Sequence, residues 1–272
     1  MAASQHRPNN TSSPCVPMWY ARMLLHLVPD GELCTRCRRW GLAGPISTGL
    51  INMGDSYPLT RTNRVRQLGE KASYDREMVH RVLDAGLVAH VAFVQDHGPV
   101  VVPMIYGRDG DTVFLHGARK SRVIRLLEET EQACLNVTLL DGLVLARSAF
   151  NSSMEYRSVT VFGTPRLVEG SAAKLRAMRI ISEHAMPGRW DELREPHDRE
   201  IKMTGVIALE IDTASAKIAD NGVDDDEDDY EIPIWSGVLP ITASIGPPVD
   251  DDRLLPGVEP SDIVRALQNR KI

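Results

Sequence analysis

The run His116-Gly117-Ala118-Arg119-Lys120-Ser121-Arg122 holds the residue types most able to do chemistry, and it holds them where helix stability alone would not. Apolar residues Val123, Leu126 and Leu127 follow at helical spacing, so the basic cluster falls on the first turn of a short predicted helix. A helix N-terminus already carries positive partial charge and normally draws Asp or Glu. Here Arg125 follows the cluster, and the first acid is Glu128. Cations beside unpaired backbone N–H groups make a site for a phosphate. The competing reading is a solvated helix face, which charge clusters usually are. A second constellation, Tyr156-Arg157-Ser158-Val159, opens a long predicted strand with a polar rim. Together the two suit a flat, phosphorylated ligand: cations and hydroxyls for its tail, strand backbone for its ring edges.

Other chemistries lack their residues. There is no Gly-rich fingerprint after a strand, no phosphate loop of the Gly-Lys-Ser/Thr type, no paired zinc-binding His on a helix and no nucleophile elbow. Cys34 and Cys37 form a single Cys-Thr-Arg-Cys pair with no second pair, and read as two thiols in a loose extension. The acidic run 224–229 lacks the Gly and Glu of a calcium loop: its sixth and twelfth places hold Asp229 and Trp235. It reads as a solvated loop, and no residue is assigned to a metal. His90, inside an apolar run, reads as a hydrogen-bonded core histidine.

The elements that must position these residues follow from periodicity. Residues 73–84 predict a helix with Ser73 as N-cap and Val79, Val82 and Leu83 as its apolar stripe. Residues 87–95 are nearly all apolar, which predicts a strand covered on both faces. Residues 100–106 form a second strand interrupted by Pro103, then Asp109-Gly110 signals a hairpin into a third strand, 112–116. Residues 132–140 and 143–150 read as two strands around a second hairpin signal, Asp141-Gly142. Residues 156–168 make a long strand with a bend at Gly163 and Pro165, 171–186 an amphipathic helix stopped by Pro187-Gly188, and 204–218 a further strand. Six or seven strands with two or three helices are not an alternating βαβ chain. They predict an antiparallel barrel or sandwich with peripheral helices.

Length and composition set bounds. At 272 residues the chain can bury a substantial core. The net charge of −6 argues against a nucleic-acid partner. No run of about 18 apolar residues predicts a membrane span. Four Cys are too few for a disulfide framework, so a reducing, cytoplasmic setting is expected. Basic residues in the first 58 positions leave organellar targeting open, and Met53 is a possible alternative start.

Residues 59–241 resemble the pyridoxamine 5'-phosphate oxidase-like FMN-binding split barrels, and more narrowly the flavin-nucleotide-binding branch that includes the nitroimidazole-resistance reductases. The resemblance rests on an ordered set of pieces. These are Ser73-Tyr74-Asp75-Arg76, the stretch from Gly110-Asp111 to His116-Gly117, Ser121-Arg122, Asp141-Gly142-Leu143-Val144-Leu145-Ala146-Arg147-Ser148-Ala149-Phe150, Tyr156-Arg157-Ser158-Val159, Pro187-Gly188-Arg189-Trp190 and Trp235-Ser236-Gly237-Val238-Leu239-Pro240. It implies a mainly β fold, a Greek-key split β-barrel with peripheral α-helices, that forms a homodimer with FMN in the groove between subunits. Haem or a deazaflavin are the alternative cofactors. Pro103, Met104, Ile105 and Tyr106 would then run beside the ring, with His116, Gly117, Lys120, Ser121 and Arg122 by the ring or phosphate. Tyr156, Arg157, Ser158 and Val159 would line the same cleft. The implied activity is an oxidoreductase that passes electrons from a donor such as NAD(P)H through flavin to a small organic acceptor, with His116 the candidate proton relay; a non-catalytic flavin- or haem-binding protein is the alternative. Near Trp235, where the pyridoxamine phosphate oxidases proper carry basic residues that grip substrate phosphate, this chain is acidic, which points away from vitamin B6 oxidation. Residues 1–58 are expected to be a poorly structured extension, and 242–272 a tail with a short helix over 261–268.

Overall fold

The computed structural model describes residues 55–96 and 98–272. The expectations for residues 1–54, including the loose extension and the Cys34–Cys37 pair, lie outside the described residues. Eight strands and five α-helices occur among the described residues: β1 (Ala72–Ser73), α1 (Arg76–Ala85), β2 (Val88–Gln95), β3 (Gly98–Asp109), β4 (Thr112–Ala118), α2 (Arg122–Glu129), β5 (Ala133–Leu145), β6 (Ser153–Leu167), α3 (Ser171–Ala185), α4 (Asp198–Met203), β7 (Thr204–Ala219), β8 (Gly237–Pro240) and α5 (Asp262–Leu267). None of the helices is long and apolar enough to cross a membrane.

The strands run β7-β4-β3-β2-β5-β6, and β6 pairs back onto β7, so six strands close a barrel; β1 adds to β7 and β8 to β5. Every pairing is antiparallel. This is the expected mainly β barrel. β5 joins the far side of β2 rather than the side of β4, which makes the connection through α2 a crossover. Alternate residues of each strand point inward. Val91, Phe93, Tyr106, Val113, Leu115, Leu135, Val137, Val159, Val161, Ile207 and Leu209 fill the interior, joined by Val79, Val82 and Leu83 of α1 and by Ile124 and Leu127 of α2. Helix α1 lies by the β3–β4 turn, where His80 meets Asp111 at 2.9 Å and Arg108 binds Asp84. Helix α2 sits at the other end of β4.

The Asp109-Gly110 hairpin forms as expected: Asp109 pairs with Thr112, and Gly110 takes φ 58°, which glycine adopts without strain. The bend in β6 also forms, as a register shift between Phe162 and Gly163. A Cβ on Gly163 would lie 1.9 Å from the Glu210 carbonyl oxygen. That neighbour is backbone and cannot rotate away. Gly163→Ala is therefore expected to destabilise the protein by about 3 kcal/mol, the upper part of the range for overpacking, as read by urea unfolding.

Several expectations are corrected. Asp141-Gly142 is not a hairpin: β5 runs through it as one strand with a register shift, Gly142 pairing with both Glu155 and Pro240. The Asp141 carboxylate is held by Arg157 through two bonds of 2.8 and 2.7 Å, which keeps the chain extended there instead of letting it turn. The N-cap of α1 is Asp75, not Ser73: its carboxylate accepts from Met78 N–H at 2.9 Å. The packed chain begins before residue 59, because Tyr57 is buried in the core and its hydroxyl donates to Asp111 at 2.6 Å. The acidic run is not wholly solvated. Asp225 is buried and accepts from Arg147 through both its backbone N–H, at 3.1 Å, and its guanidinium, at 2.9 Å. The tail does contain the short helix, capped by Ser261, and Arg270 donates back to the Ala185 carbonyl at the end of α3.

β2 is the most consequential correction. It is covered on one face only: Ala89, Val91 and Phe93 are buried, whereas Val88 and Val94 keep 49% and 69% of their surface. An unbroken apolar run hides this alternation. On β3 the same outer face carries Val101 and Ile105, also exposed. Among the described residues, an apolar sheet face is thus left open.

Candidate functional site

β3 and β4 stay paired from Asp109↔Thr112 to Tyr106↔Leu115 and no further. Beyond that point residues 98–105 continue with β2 alone, while His116, Gly117 and Ala118 continue with β7 alone. The barrel is split here. The wedge between the two strand ends is flanked by Pro103, Met104 and Ile105 on one side and by His116 and Gly117 on the other, and the basic turn follows directly from the second side.

Small residues let the chain turn so tightly. A Cβ on Gly117 would come within 3.2 Å of Ile124, and one on Gly205, across β7, within 2.6 Å of Ile124 and 3.2 Å of the Arg119 backbone. Helix α2 can therefore drop its Ile124 into the barrel while its first turn stays at the wedge. The turn is fixed by Arg119 N–H donating to Met203 O and Ser121 N–H to Ala118 O, each at 2.8 Å. Ser121 is the N-cap, its hydroxyl oxygen accepting from Ile124 N–H at 3.5 Å, which leaves the hydroxyl proton to donate elsewhere.

The four cations of this region are not equivalent. Arg119 is engaged by Glu128, at 2.9 Å. Lys120, Arg122 and Arg125 are exposed, and among the described residues no carboxylate pairs with them. Two cations at the helix N-terminus itself, Lys120 and Arg122, are therefore available to an anion. His116 adds a different group. Its Nδ1 is buried and has no hydrogen-bond partner among the described residues, and burial pushes its pKa down, so the ring is neutral at pH 7. A buried polar atom left unpaired costs about 1–3 kcal/mol. A ligand in the wedge could supply the missing partner.

The remaining expected site residues divide. Pro103 and Ile105 are exposed on the outer face, but Met104 and Tyr106 point inward. The Tyr106 hydroxyl donates to the carbonyls of Leu83 and Gly86, so its side chain is a core element and only its backbone can line the wedge. Val159 is likewise buried in the core. Arg157 is no free cation, being bound by Asp141. Tyr156 and Ser158 do face outward, yet β6 stands three strands from β3 in the order β3-β2-β5-β6, roughly 14 Å at about 4.8 Å per strand. One chain brings β3, His116-Gly117 and Lys120-Ser121-Arg122 together and leaves Tyr156–Val159 apart.

Two features escaped the sequence reading. Asn136, Thr138, Ser158 and Thr160 form a polar ladder on the outer face: the Asn136 amide donates to Ser158, to Val159 O and to Thr160 at 3.0–3.1 Å, and Thr138 donates back to Asn136 at 2.9 Å. His90 is exposed beside this ladder, opposite Pro103 on one side and Asn136 on the other, and is not a core histidine. Its parity with Val88 and Val94 was the available signal.

Comparison with known proteins places the same region in a recurring context. The family model described as pyridoxamine 5'-phosphate oxidase matches residues 75–218, from the cap of α1 almost to the end of β7. The flavocytochrome Anf3 from Azotobacter vinelandii is 38% identical, with a TM-score of 0.73 over 77% of this chain and 97% of its own. The FAD and heme binding protein from Mycobacterium smegmatis is 36% identical, with a TM-score of 0.70 over 73% of this chain and 98% of its own. No curated protein sequence matches the chain.

Proposed function

Because the chain belongs to the pyridoxamine 5'-phosphate oxidase family, we propose that it binds a flavin, FMN, in the wedge between β3 and β4 and serves as a redox protein. The observation that carries this reading is the pair Lys120 and Arg122, exposed at the N-terminus of α2 with no carboxylate partner among the described residues, a few residues after the orphaned Nδ1 of His116. The donor set suits the group. Lys120, Arg122, the Ser121 hydroxyl and the first N–H groups of α2 hold a phosphate. The parted edge of β3 offers backbone N–H and C=O groups to the polar edge of a ring, with Pro103 and Ile105 beneath it. Neutral His116 gives that ring a hydrogen bond through Nδ1 and can hold a proton near it. A bound flavin supplies the electron transfer, and the protein supplies position and electrostatics.

The functional unit is a homodimer. Val88, Val94, Val101 and Ile105 form an exposed apolar face of the kind that marks an interaction surface, and self-association through one shared patch is the usual route to cover it. A second copy would also bring its own Tyr156 and Ser158 towards the wedge, which one chain cannot do. Light scattering at micromolar concentration is expected to give a two-chain mass; a one-chain mass with flavin bound would remove the shared groove.

The purified protein is expected to be yellow, to bleach with NAD(P)H and to recover in air as a small organic acceptor or oxygen takes the electrons. Bound flavin that no such donor reduces would leave a binding protein without turnover. A colourless protein without affinity for added FMN would overturn the reading. A second reading adds a haem beside the flavin, favoured by the likeness at 38% and 36% identity to a flavocytochrome and to an FAD and heme binding protein.

A further inference from the structure

We infer that Lys174, on α3, is a positioning residue of the phosphate turn: it fixes the carbonyl end of α4, from which that turn is hung. The inference rests on the proposal that Lys120, Ser121 and Arg122 hold a flavin phosphate. Lys174 is half-buried, and among the described residues no carboxylate pairs with it. A long cationic side chain on a helix normally carries its head out to water. Here the ammonium is turned onto the end of another helix, where it donates to Thr204 O at 3.0 Å and to Ile201 O at 3.5 Å.

The last carbonyls of a helix have no partner within it, and they carry negative partial charge that suits a cation. At the end of α4 three of them are taken from three directions. Glu200 O accepts the Thr204 N–H and, at 2.9 Å, the Thr204 hydroxyl. Ile201 O accepts from Lys174. Met203 O accepts the Arg119 N–H at 2.8 Å. Arg119 directly precedes Lys120, so this third bond hangs the basic turn from α4. The other Lys174 bond reaches the same turn by a second route. Thr204 opens β7 and pairs with Ala118, whose carbonyl accepts the Ser121 N–H at 2.8 Å. Lys174 therefore acts on the turn through Met203 and Arg119 on one side and through Thr204 and Ala118 on the other. The fit at this junction is close, since a Cβ on Gly205 would lie 2.6 Å from Ile124 and 3.2 Å from the Arg119 backbone. Without the ammonium, two carbonyls lose their donor and the junction of α4 with β7 can shift. The shift would carry Arg119 and the cations behind it. Phosphate recognition depends on donors held in fixed directions. The ring site along β3 does not depend on α4, so the effect should fall on the phosphate alone.

The test uses the full chain. Affinities for FMN and riboflavin are read by titration of flavin fluorescence, with thermal unfolding of the same samples. Lys174→Met keeps the apolar stem and removes the charge. It is expected to bind FMN about tenfold more weakly, the equivalent of losing one hydrogen bond to a charged group, with riboflavin affinity unchanged. Lys174→Arg, which can still donate to both carbonyls, should bind FMN as the wild type does. Lys174→Gln keeps a polar tip without the charge or the reach; it repeats the comparison if the Met protein does not fold, and should show the same selective loss. Wild-type FMN affinity in the Met or Gln protein overturns the inference. Equal losses of FMN and riboflavin also overturn it, because they mark a general loss of structure. The Lys120→Ala/Arg122→Ala protein separates these failures from that of the reading beneath them. If it loses FMN while the Lys174 variants do not, only the positioning role falls. If it too binds FMN as the wild type does, the phosphate is not held at this turn, and the reading falls together with the inference.

Discussion

The double variant Lys120→Ala/Arg122→Ala is expected to lose FMN affinity by roughly a hundredfold to ten-thousandfold while binding riboflavin almost as the wild type does. Each hydrogen bond to a charged group is worth about 1.5–3 kcal/mol, and 1.4 kcal/mol is a factor of ten in binding. Two such contacts multiply if they act independently. Riboflavin lacks the phosphate, so it reports the ring site alone and guards against a general loss of fold. Arg119, held by Glu128, should add little when it too is changed to Ala. A single Arg122→Ala change is a weaker test, because Lys120 beside it can substitute in part. Equilibrium titration of flavin fluorescence reads all four proteins. Equal FMN affinity in the double variant would show that the phosphate is held elsewhere, and the argument from the basic first turn would fall.

Asp225→Ala is expected to cost about 3–5 kcal/mol of stability, the range for breaking a buried ion pair by removing one partner. The Asp225 side chain is 0% exposed, and it satisfies the Arg147 backbone N–H and guanidinium at once. Removing it strands a guanidinium that is only 17% exposed and whose Nε already lacks a partner among the described residues. The stacking of Arg147 over Tyr230, at 5.0 Å, cannot replace a counter-ion. For a domain of this size the loss corresponds to a fall of roughly ten degrees in Tm. Asp228→Ala, in the same acidic run but exposed, should move Tm by no more than a degree or two. Equal behaviour of the two variants would mean that the run is solvated throughout, as its composition alone suggests.

What was legible in the sequence was local. Gly110 announced its turn because a positive φ is a property of one residue, and the basic first turn of α2 stood out because a helix end has a known charge preference. What was not legible depended on partners far along the chain. Asp141-Gly142 carries the same hairpin signal as Asp109-Gly110, yet it is a bulge because Arg157, sixteen residues on, takes the carboxylate. Arg157 is thereby removed from the site that its neighbours Tyr156 and Ser158 still border. The Arg119–Glu128 pair cancels one of the cations that the composition of the turn advertises. His90 looked like core because its neighbours are apolar on both parities, and apolar residues on an open sheet face read the same as apolar residues in an interior. The wedge itself has no sequence signature. It exists because β4 is shorter than β3 and turns away at Gly117, a length mismatch visible only once the register is known.

The parted edge of β3 also bears on how the protein keeps itself apart from other chains. From Gly98 to Ile105 this strand has a partner on one side only among the described residues. An unpaired strand edge is a template on which another strand can add, and proteins usually blunt such edges with charge, proline or a covering element. Pro99 and Pro103 blunt this one in part, since proline cannot donate to a ladder. A ring held along the same edge would occupy the rest. Filling the wedge would then act as a cap against edge-to-edge association, and the tendency of the emptied protein to aggregate would be a measure of how much of that capping the ligand provides.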